Sequence, residues 1–331
     1  MSMSAPTSHL PALRLDIRLI LVALLLLAAS RSGMAETPVD PPVKVFLLAG
    51  QSNMVGAGRI KANPDRNGGQ GSLEWMVESS PLKAKVRGLR DSSGDWVERE
   101  DVRIWNFGRT GGLAPGYGSN LGTIGPELGF GTVVGEALDE PVLLIKIAWD
   151  GKSIGKDFRP PSAGGEVGPE YRILVDRTKE VLKDAGRQFP EFAGRTFELA
   201  GIGWHQGWND RVDQAFNDAY EVNLAHFIRD IRRDLDSPDL PFVIAETGMS
   251  GPDEKHPRAL SLMAAQAAVA KKPEFQDDVA FVGTRSFYRP PEQSPSGQQY
   301  HWNSNAETYY LIGEAMGVAM LDLLERAKRS K

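Results

Sequence analysis

The chain of 331 residues contains no cysteine. This absence excludes disulfide bonds, a thiolate nucleophile and every metal site that needs cysteine ligands. Stability must come from the hydrophobic core, which a chain of this length can readily bury. Histidine is also scarce, with five in the chain, and no two have the His-x-x-x-His spacing of a helical zinc site. We therefore expect no metal and no other cofactor.

Long hydrophobic runs are missing as well. The apolar run Leu19 to Ala29 has eleven residues, whereas a membrane-spanning helix needs about 20. Arg14 and Arg18 precede this run, and Gly33-Met34-Ala35 places small residues where a signal peptidase cleaves. We therefore predict a signal peptide over residues 1–35, cleaved near Ala35, and a mature protein that is secreted or periplasmic. An uncleaved anchor is the alternative.

Positive charge is not in excess. The chain has 38 Lys and Arg residues against 43 Asp and Glu residues, a net charge of −5. Removing residues 1–35 takes away three arginines and one aspartate, so the mature protein carries −7. An acidic protein without a basic stripe is a poor candidate for binding nucleic acid. We also expect no stable membrane association once the signal is removed.

Strand-like and helix-like segments alternate along the mature chain. Such alternation is typical of a doubly wound parallel sheet, so we predict a flavodoxin-like, three-layer α/β/α fold with about five strands. No repeat or linker interrupts the pattern, which indicates a single domain over residues 36–331. The predicted strands are 43–49, 102–106, 142–148, 196–204 and 242–246, with 279–283 as a sixth, and the predicted helices are 127–138, 170–188, 213–236, 258–271 and 306–328.

The last predicted helix has the clearest signals. Ser304 and Glu307 form a capping-box pattern at its start. The residues on the apolar face of this helix are Ile312, Met316, Ala319 and Leu323.

Three long irregular stretches separate the predicted elements ahead of this helix. They could form the rim of one cleft, because long loops in a compact domain usually carry function. These stretches are 59–99, 108–123 and 151–168.

A serine follows the first predicted strand directly. The apolar strand ends in Gly50-Gln51, and Ser52 comes next. Glycine allows a sharp turn, and the carboxyl end of a strand is where open α/β sheets bind ligands. Ser52 would open a short helical turn, whose free N–H groups favour a developing oxyanion. Ser52 is therefore a candidate nucleophile, and the alternative is a serine that only caps the turn.

Three further segments either follow a predicted strand or open a predicted helix. They are Ile124-Gly-Pro-Glu-Leu-Gly-Phe130, Gly203-Trp-His-Gln-Gly-Trp-Asn-Asp210 and Tyr300-His-Trp-Asn303. With Gly50-Gln-Ser-Asn-Met54, and in this order, they resemble the SGNH hydrolase superfamily, more closely its sialate O-acetylesterase and acetylxylan esterase-like carbohydrate esterases. Residues 147–153 also resemble a segment of this branch. The resemblance covers the mature chain from Val43 to the last helix and implies the SGNH hydrolase fold.

The resemblance implies a role for each residue that matches these motifs. Ser52 would be the nucleophile and His301 the general base that takes the hydroxyl proton. The backbone N–H groups of Ser52 and Gly125 and the side-chain amide of Gln206 would form the oxyanion hole. Hydrolysis would pass through an acetyl-Ser52 intermediate without a metal. Residues in or beside the substrate site would be Gln51, Asn53, Glu127, Trp204 and His205.

Some of these residues have structural alternatives. Glu127 lies in a first helical turn, where the helix dipole favours a carboxylate. His205 would shape the site or hold a loop rather than act as the base. Tryptophans in or beside the segments could stack on sugar rings or pack beneath the loops. These tryptophans are Trp149, Trp204, Trp208 and Trp302.

The sequence departs from the superfamily's pattern at the acid. An aspartate usually stands three residues before the catalytic histidine, and Gln298 occupies that position here. Gln298 could accept the imidazole N–H through its amide oxygen, Glu292 on the same loop could reach the histidine, or a backbone carbonyl could orient it. A carboxylate distant in sequence could also fill the space. A second departure is Trp208 where an acidic residue often stands, with Asp210 two positions on.

The leading interpretation is an exported serine esterase that removes O-acetyl groups from a carbohydrate, such as acetylated hemicellulose or acetylated sialic acid. The missing acid motivates an alternative from another class, a catalytically impaired carbohydrate-binding protein on the same fold. A generic short-chain SGNH esterase is the further alternative within the enzyme class.

Overall fold

The computed structural model describes residues 1–2, 40–248 and 250–329. By its internal contacts the chain divides into residues 1–40 and 41–331, and the second unit contains the helices and strands described below. The predicted signal peptide, apart from its first two residues, lies outside the described residues. In the ranges that the structure describes, no helix is long and apolar enough to cross a membrane.

Nine strands form two sheets. They are β1 (Val43–Gly50), β2 (Gly58–Arg59), β3 (Arg99–Asn106), β4 (Arg109–Leu113), β5 (Thr123–Ile124), β6 (Val142–Ala148), β7 (Phe197–His205), β8 (Phe242–Ala245) and β9 (Val279–Val282). The central sheet has seven strands in the order β4-β3-β6-β1-β7-β8-β9, and its neighbours are parallel except for β3 and β4. Strands β2 and β5 form a small antiparallel pair.

Helices cover both faces of the central sheet. They are α1 (Ser52–Val55), α2 (Leu73–Glu78), α3 (Glu127–Ala137), α4 (Pro169–Gln188), α5 (Trp208–Val212), α6 (Gln214–Asp234), α7 (Pro257–Val269) and α8 (Ala306–Arg329). Apolar side chains of α4, α6 and α7 pack on one face, and those of α2, α3 and α8 pack on the other. The α/β prediction with helices on both faces is therefore confirmed.

The predicted number of about five strands was too low. The six candidate strands are present with small shifts at their ends, but β4 lies inside the stretch 108–123 that was predicted to be a loop. Its sequence, Arg-Thr-Gly-Gly-Leu, lacks the alternating apolar residues of a strand. It becomes a strand because it folds back on β3 through a two-residue turn and pairs with it as the antiparallel edge of the sheet.

The last helix has the predicted bounds within one residue but a different cap. Asn305 caps α8, since its Oδ1 accepts from the N–H of Thr308 at 3.1 Å. Ser304 has a left-handed backbone, with φ of 55°, and its hydroxyl contacts Ser296 instead. The predicted capping box was therefore wrong. Its second member, Glu307, accepts hydrogen bonds from Ser80 and Arg289.

Strand register brings three of the sequence segments to one edge of the sheet. Gly50, at the end of β1, lies opposite Ala148 of β6 on one side and His205 of β7 on the other. The loops that follow these three parallel strands therefore start side by side. This edge is where open α/β sheets bind ligands.

Candidate active site

The turn after β1 places Ser52 at the first position of α1. Gly50 has φ of 152°, and a Cβ atom there would lie 2.2 Å from the carbonyl oxygen of His205, so the close approach of β7 requires glycine. The N–H of Gln51 donates to the same carbonyl at 3.1 Å. Ser52 keeps 9 % of its surface accessible. The sharp turn therefore holds the serine at the carboxyl edge of the sheet.

The loop that carries His301 is tied to α1 by side chains. Asn53 Nδ2 donates to the carbonyl of Tyr300 at 3.2 Å, and Tyr309 Oη of α8 donates to Asn53 Oδ1 at 2.8 Å. The same Tyr309 hydroxyl lies 3.4 Å from the carbonyl oxygen of His301. Within the described ranges no hydrogen bond joins Ser52 Oγ to the His301 ring. Such bonds often tighten only when substrate binds.

The backbone after His301 is strained. Trp302, Asn303 and Ser304 have φ of 50°, 54° and 55°, so three consecutive non-glycine residues adopt the left-handed conformation. Each such residue costs about 1–3 kcal/mol and persists where its surroundings impose the conformation. Trp302 is fully buried, and Asn303 Nδ2 donates to the carbonyl of Arg289 at 2.9 Å. Buried anchors therefore hold the histidine loop in its shape.

Burial lowers the pKa of His301 below its usual 6.5, and the carboxylate of Asp150 opposes this shift. The imidazole is therefore largely neutral at pH 7, as a general base must be. Asp150 is exposed and comes two residues after the end of β6. Sequence reasoning missed it, although it lies within the quoted segment 147–153. Its proximity to His301 depends on parallel pairing of β6 with β1, which no local pattern reveals.

The two acid candidates from the histidine loop have exposed side chains. Gln298 contacts the histidine loop through its backbone carbonyl oxygen, which accepts hydrogen bonds from the backbone N–H of His301 at 2.8 Å and of Asn303 at 3.1 Å. Its side chain is exposed. Glu292 is exposed in a single 3₁₀ turn, and the effects that shift the pKa of His301 are burial and Asp150.

Two of the expected oxyanion donors are already hydrogen-bonded inside the protein. The N–H of Gly125 donates to Glu127 Oε1 at 2.8 Å. Gln206 Nε2 lies 2.5 Å from Asp210 Oδ2 and 2.9 Å from the carbonyl oxygen of Lys152. The structure does bring Gly125 against α1, since a Cβ atom on Gly56 would lie 2.1 Å from its Cα. Both groups therefore have acceptors that a substrate oxygen would have to replace.

A buried ion pair lies beneath α1. Lys146 and Glu127 are 1 % and 0 % exposed, and Lys146 Nζ lies 2.6 Å from Glu127 Oε2. The same ammonium donates to the carbonyls of Val55 and Tyr117 at 2.7 and 2.8 Å. With the bond from Gly125 to Glu127, this pair links the serine turn to the Gly125 segment. A lone lysine within the apolar strand β6 was the sequence signal for it.

Gln51 and Asp210 hold the loop after β7. Gln51 Oε1 accepts from the N–H of Gly207 at 3.0 Å and of Asn209 at 3.2 Å. Burial raises the pKa of Asp210 to about 6, and its carboxylate accepts from the N–H of Ile154 and of Gly155. Asp210 therefore joins the loop after β7 to the loop after β6, although it stands two positions beyond the family's usual acidic site.

Most of the remaining candidate residues are buried and pack inside the protein. Trp204 is fully buried, with its ring centroid 4.5 Å from that of Phe227. His205 is buried as well, which lowers its pKa to about 4 and keeps it neutral. Trp302 is buried beneath the histidine loop, while Trp149 and Trp208 are partly exposed. Two of the four tryptophans therefore pack beneath the loops, and two remain accessible.

A protein-family comparison identifies the class of this site. The family model described as "Carbohydrate esterase, sialic acid-specific acetylesterase" matches residues 42–321. The chain belongs to this family. The matched range includes all four segments quoted from the sequence, so the carbohydrate esterase resemblance is confirmed.

Individual relatives agree with this carbohydrate esterase assignment. A protein of Arabidopsis thaliana described as a probable carbohydrate esterase is 25% identical over 218 residues, which are 63% of this chain and 70% of the relative. An X-ray structure of an Arabidopsis thaliana protein superposes with a TM-score of 0.56 at 17% identity, covering 85% of this chain and 99% of the other. A carbohydrate acetylesterase of Xanthomonas citri gives 0.53 at 13% identity, covering 85% and 57%. These structural likenesses support the fold.

In this member of the carbohydrate esterase family, the arrangement combines a serine at a strand end with a neutral histidine on an adjacent loop. A carboxylate acts on the histidine from a third loop. These are the group types that nucleophilic acyl transfer needs.

Proposed function

We propose that this protein is an exported serine esterase that hydrolyses O-acetyl groups on carbohydrates through an acetyl-serine intermediate. The observation that carries the proposal is the joining of the Ser52 and His301 segments by Asn53 and Tyr309. This arrangement occurs in a member of a carbohydrate esterase family.

In the proposed reaction, Ser52 Oγ attacks the acetyl carbonyl carbon while His301 takes the hydroxyl proton. The tetrahedral intermediate collapses, the bond to the sugar oxygen breaks, and His301 returns the proton to that oxygen. Water, deprotonated by His301, then attacks the acetyl-Ser52 ester; the bond to Ser52 Oγ breaks, His301 returns the proton to that oxygen, and acetate is released. The backbone N–H of Ser52 is the first oxyanion donor, and Gly125 and Gln206 join it by exchanging their present acceptors.

Asp150 supplies the negative charge that the expected acid would have provided. The imidazole becomes a cation whenever it holds the serine proton, and a carboxylate in its field stabilises that cation. In the part of the chain that the structure describes, no hydrogen bond joins the two side chains. Its effect is smaller than that of a buried triad acid, because solvent screens an exposed charge.

Acetylated hemicellulose and O-acetylated sialic acid are the substrate classes that we propose. The family description supports the sialic acid class. A higher kcat/KM for short-chain acyl esters of sugars than for simple alkyl esters would distinguish this activity from that of a generic short-chain esterase.

The decisive test is acetate release from acetylated xylan and from O-acetylated sialic acid by the wild type and by Ser52→Ala. We expect Ser52→Ala to lower turnover by at least about 10³, because the nucleophile is lost. Ser237→Ala, on a loop between α6 and β8, is the matched control and should retain full activity. Thermal unfolding of both variants checks that the fold is intact. Undiminished hydrolysis by Ser52→Ala would refute the proposed nucleophile.

A carbohydrate-binding protein remains the second candidate because Gln298 replaces the usual acid and two oxyanion donors are occupied. It predicts sugar binding in calorimetry without acetate release from any acetyl ester by the wild type. Acetate release that depends on Ser52 would exclude it.

A further inference from the structure

A pocket beside the serine turn is not used by the proposed chemistry. It has a volume of about 270 Å³ and is lined by residues from four places in the chain. Val55 ends α1, Ala148 ends β6, and Asn106 ends β3. Val55 is one helical turn from Ser52, an axial rise of about 5 Å. The pocket therefore adjoins the serine turn. The lining also includes Phe107, Arg109 and Ser119.

Phe107 is an unusual residue for its position. It forms, with Gly108, the two-residue turn between β3 and β4, and both have positive φ, 47° and 83°. Such turns favour asparagine, aspartate or glycine, and a bulky side chain with positive φ is strained. Phe107 is also 45% exposed, so burial in the core does not account for it. Neither the turn nor the core explains an aromatic residue here, whereas contact with a ligand would.

Trp149 extends the aromatic surface toward the site. Its ring centroid lies 5.3 Å from that of Phe107 in an edge-on arrangement. The backbone N–H of Trp149 donates to the carbonyl of Gly50 at 3.3 Å, which holds the Trp149 backbone beside the serine turn. The exposed Phe107 ring, held by this edge-on contact, offers a surface suited to the apolar face of a sugar ring.

Arg109 provides a rigid donor on the same pocket. Its two terminal nitrogens donate to the carbonyls of Gly116 and Gly118, each at 2.9 Å, and its guanidinium lies 5.6 Å from the Tyr117 ring centroid. A guanidinium has five N–H donors, so others remain for a ligand. In the part of the chain that the structure describes, no carboxylate forms an ion pair with Arg109. The pocket therefore pairs an aromatic surface with a fixed positive charge.

The geometry points to this pocket as the subsite for the sugar ring that carries the acetyl group. The ring stacks on Phe107, which Trp149 supports edge-on from behind, and an oxygen substituent of the ring, hydroxyl or carboxylate, accepts from Arg109. This inference rests on the proposed function, because it places the ring beside Ser52. It deepens that function by naming the residues that would distinguish a sugar ester from a simple ester.

The test compares Phe107→Ala, Phe107→Trp and Arg109→Gln on sugar esters and on ethyl acetate, a simple ester that contains no ring. We expect Phe107→Ala to raise KM for acetylated xylo-oligosaccharide about 2- to 10-fold, the loss of one stacking contact, while Phe107→Trp keeps it near the wild type. The kcat/KM for ethyl acetate should change less than about twofold, because that ester has no ring that stacks on Phe107. Leu260→Ala, on α7, truncates another exposed apolar residue, and it should leave KM and kcat/KM unchanged for both substrates.

Arg109→Gln identifies the substituent. A loss of about tenfold on O-acetylated sialic acid alone assigns Arg109 to the carboxylate, and a similar loss on both substrates assigns it to a hydroxyl. Either result supports the subsite. The proposed subsite would be overturned if Phe107→Ala and Arg109→Gln both kept the KM of the wild type for both sugar esters. Phe107→Asn, which suits the left-handed turn, replaces Phe107→Ala if the latter does not fold.

A binding measurement separates this inference from the proposed function. Calorimetry with acetylated xylo-oligosaccharide and O-acetylated sialic acid is made on Ser52→Ala, alone and combined with Phe107→Ala. Weaker binding in the double variant supports the subsite even if the wild type releases no acetate. Equal binding in the two proteins counts against the subsite even if the wild type is an active esterase.

Discussion

At the residue scale, the carboxylate that opposes the lowering of the His301 pKa lies on a different loop from the histidine itself. Asp150 follows β6, whereas Gln298 and Glu292 lie on the histidine's own loop. Because Asp150 opposes the lowering of the His301 pKa by burial, its removal should lower that pKa further. The base must be neutral, so activity falls as the pH drops through the His301 pKa, which lies below 6.5.

We therefore predict that Asp150→Asn moves the acidic limb of the kcat/KM profile to lower pH. The plateau should fall by no more than about fivefold, because the imidazolium loses an exposed, solvent-screened partner. The profile is measured with p-nitrophenyl acetate between pH 4 and 9. Glu292→Gln is the matched control and should leave the limb in place. If Glu292→Gln moved the limb and Asp150→Asn did not, the carboxylate on the histidine loop would be the one that matters.

At the element scale, the packing of α3 against α8 depends on glycines that bring two backbones together. A Cβ atom on Gly313 would lie 1.9 Å from the carbonyl oxygen of Pro126, and one on Gly129 would lie 2.1 Å from that of Tyr310. Gly313→Ala should therefore force the helices apart and lower the free energy of unfolding by about 2–3 kcal/mol. Urea denaturation measures the change. Since α3 begins directly after Gly125-Pro126, activity should fall as well.

The control for this prediction is a helical glycine in open surroundings. Gly186 of α4 has no neighbour closer than 3.9 Å to an added Cβ atom. Gly186→Ala should raise the free energy of unfolding by up to about 1 kcal/mol, because alanine has the better helix propensity. Equal effects of the two substitutions would show that the close approach at Gly313 is relaxed in solution.

At the scale of the whole molecule, residues 41–331 contain every described helix and strand. The signal-peptide pattern of residues 1–35 predicts that the full chain, made in a host that exports proteins, is recovered outside the cytoplasm with Glu36 as its first residue. Intact mass spectrometry measures the cleavage point. Residues 36–331 produced directly should have the same kcat/KM. Full-length protein retained in the membrane fraction would instead indicate the uncleaved anchor.

Much of this architecture could be predicted because it is encoded locally. Apolar strands such as β1 and β6 and the apolar face of α8 have a short-range periodicity that survives without knowledge of their neighbours. The motif around Ser52 and the late His301 are also local. Their order along the chain sufficed to indicate the family that the comparison confirms.

Only the tertiary structure decided the features that depend on contacts between distant segments. Strand β4 exists because β3 offers it an edge, and Asp150 acts on His301 because β6 pairs with β1. The hydrogen bonds that occupy Gly125 and Gln206 also come from packing. By itself, the sequence determined the six apolar strands and the long helices, their order and the residue types at the site. Which donors are occupied and which charge acts on the base depend on strand register, and residues far apart in the chain set that register together.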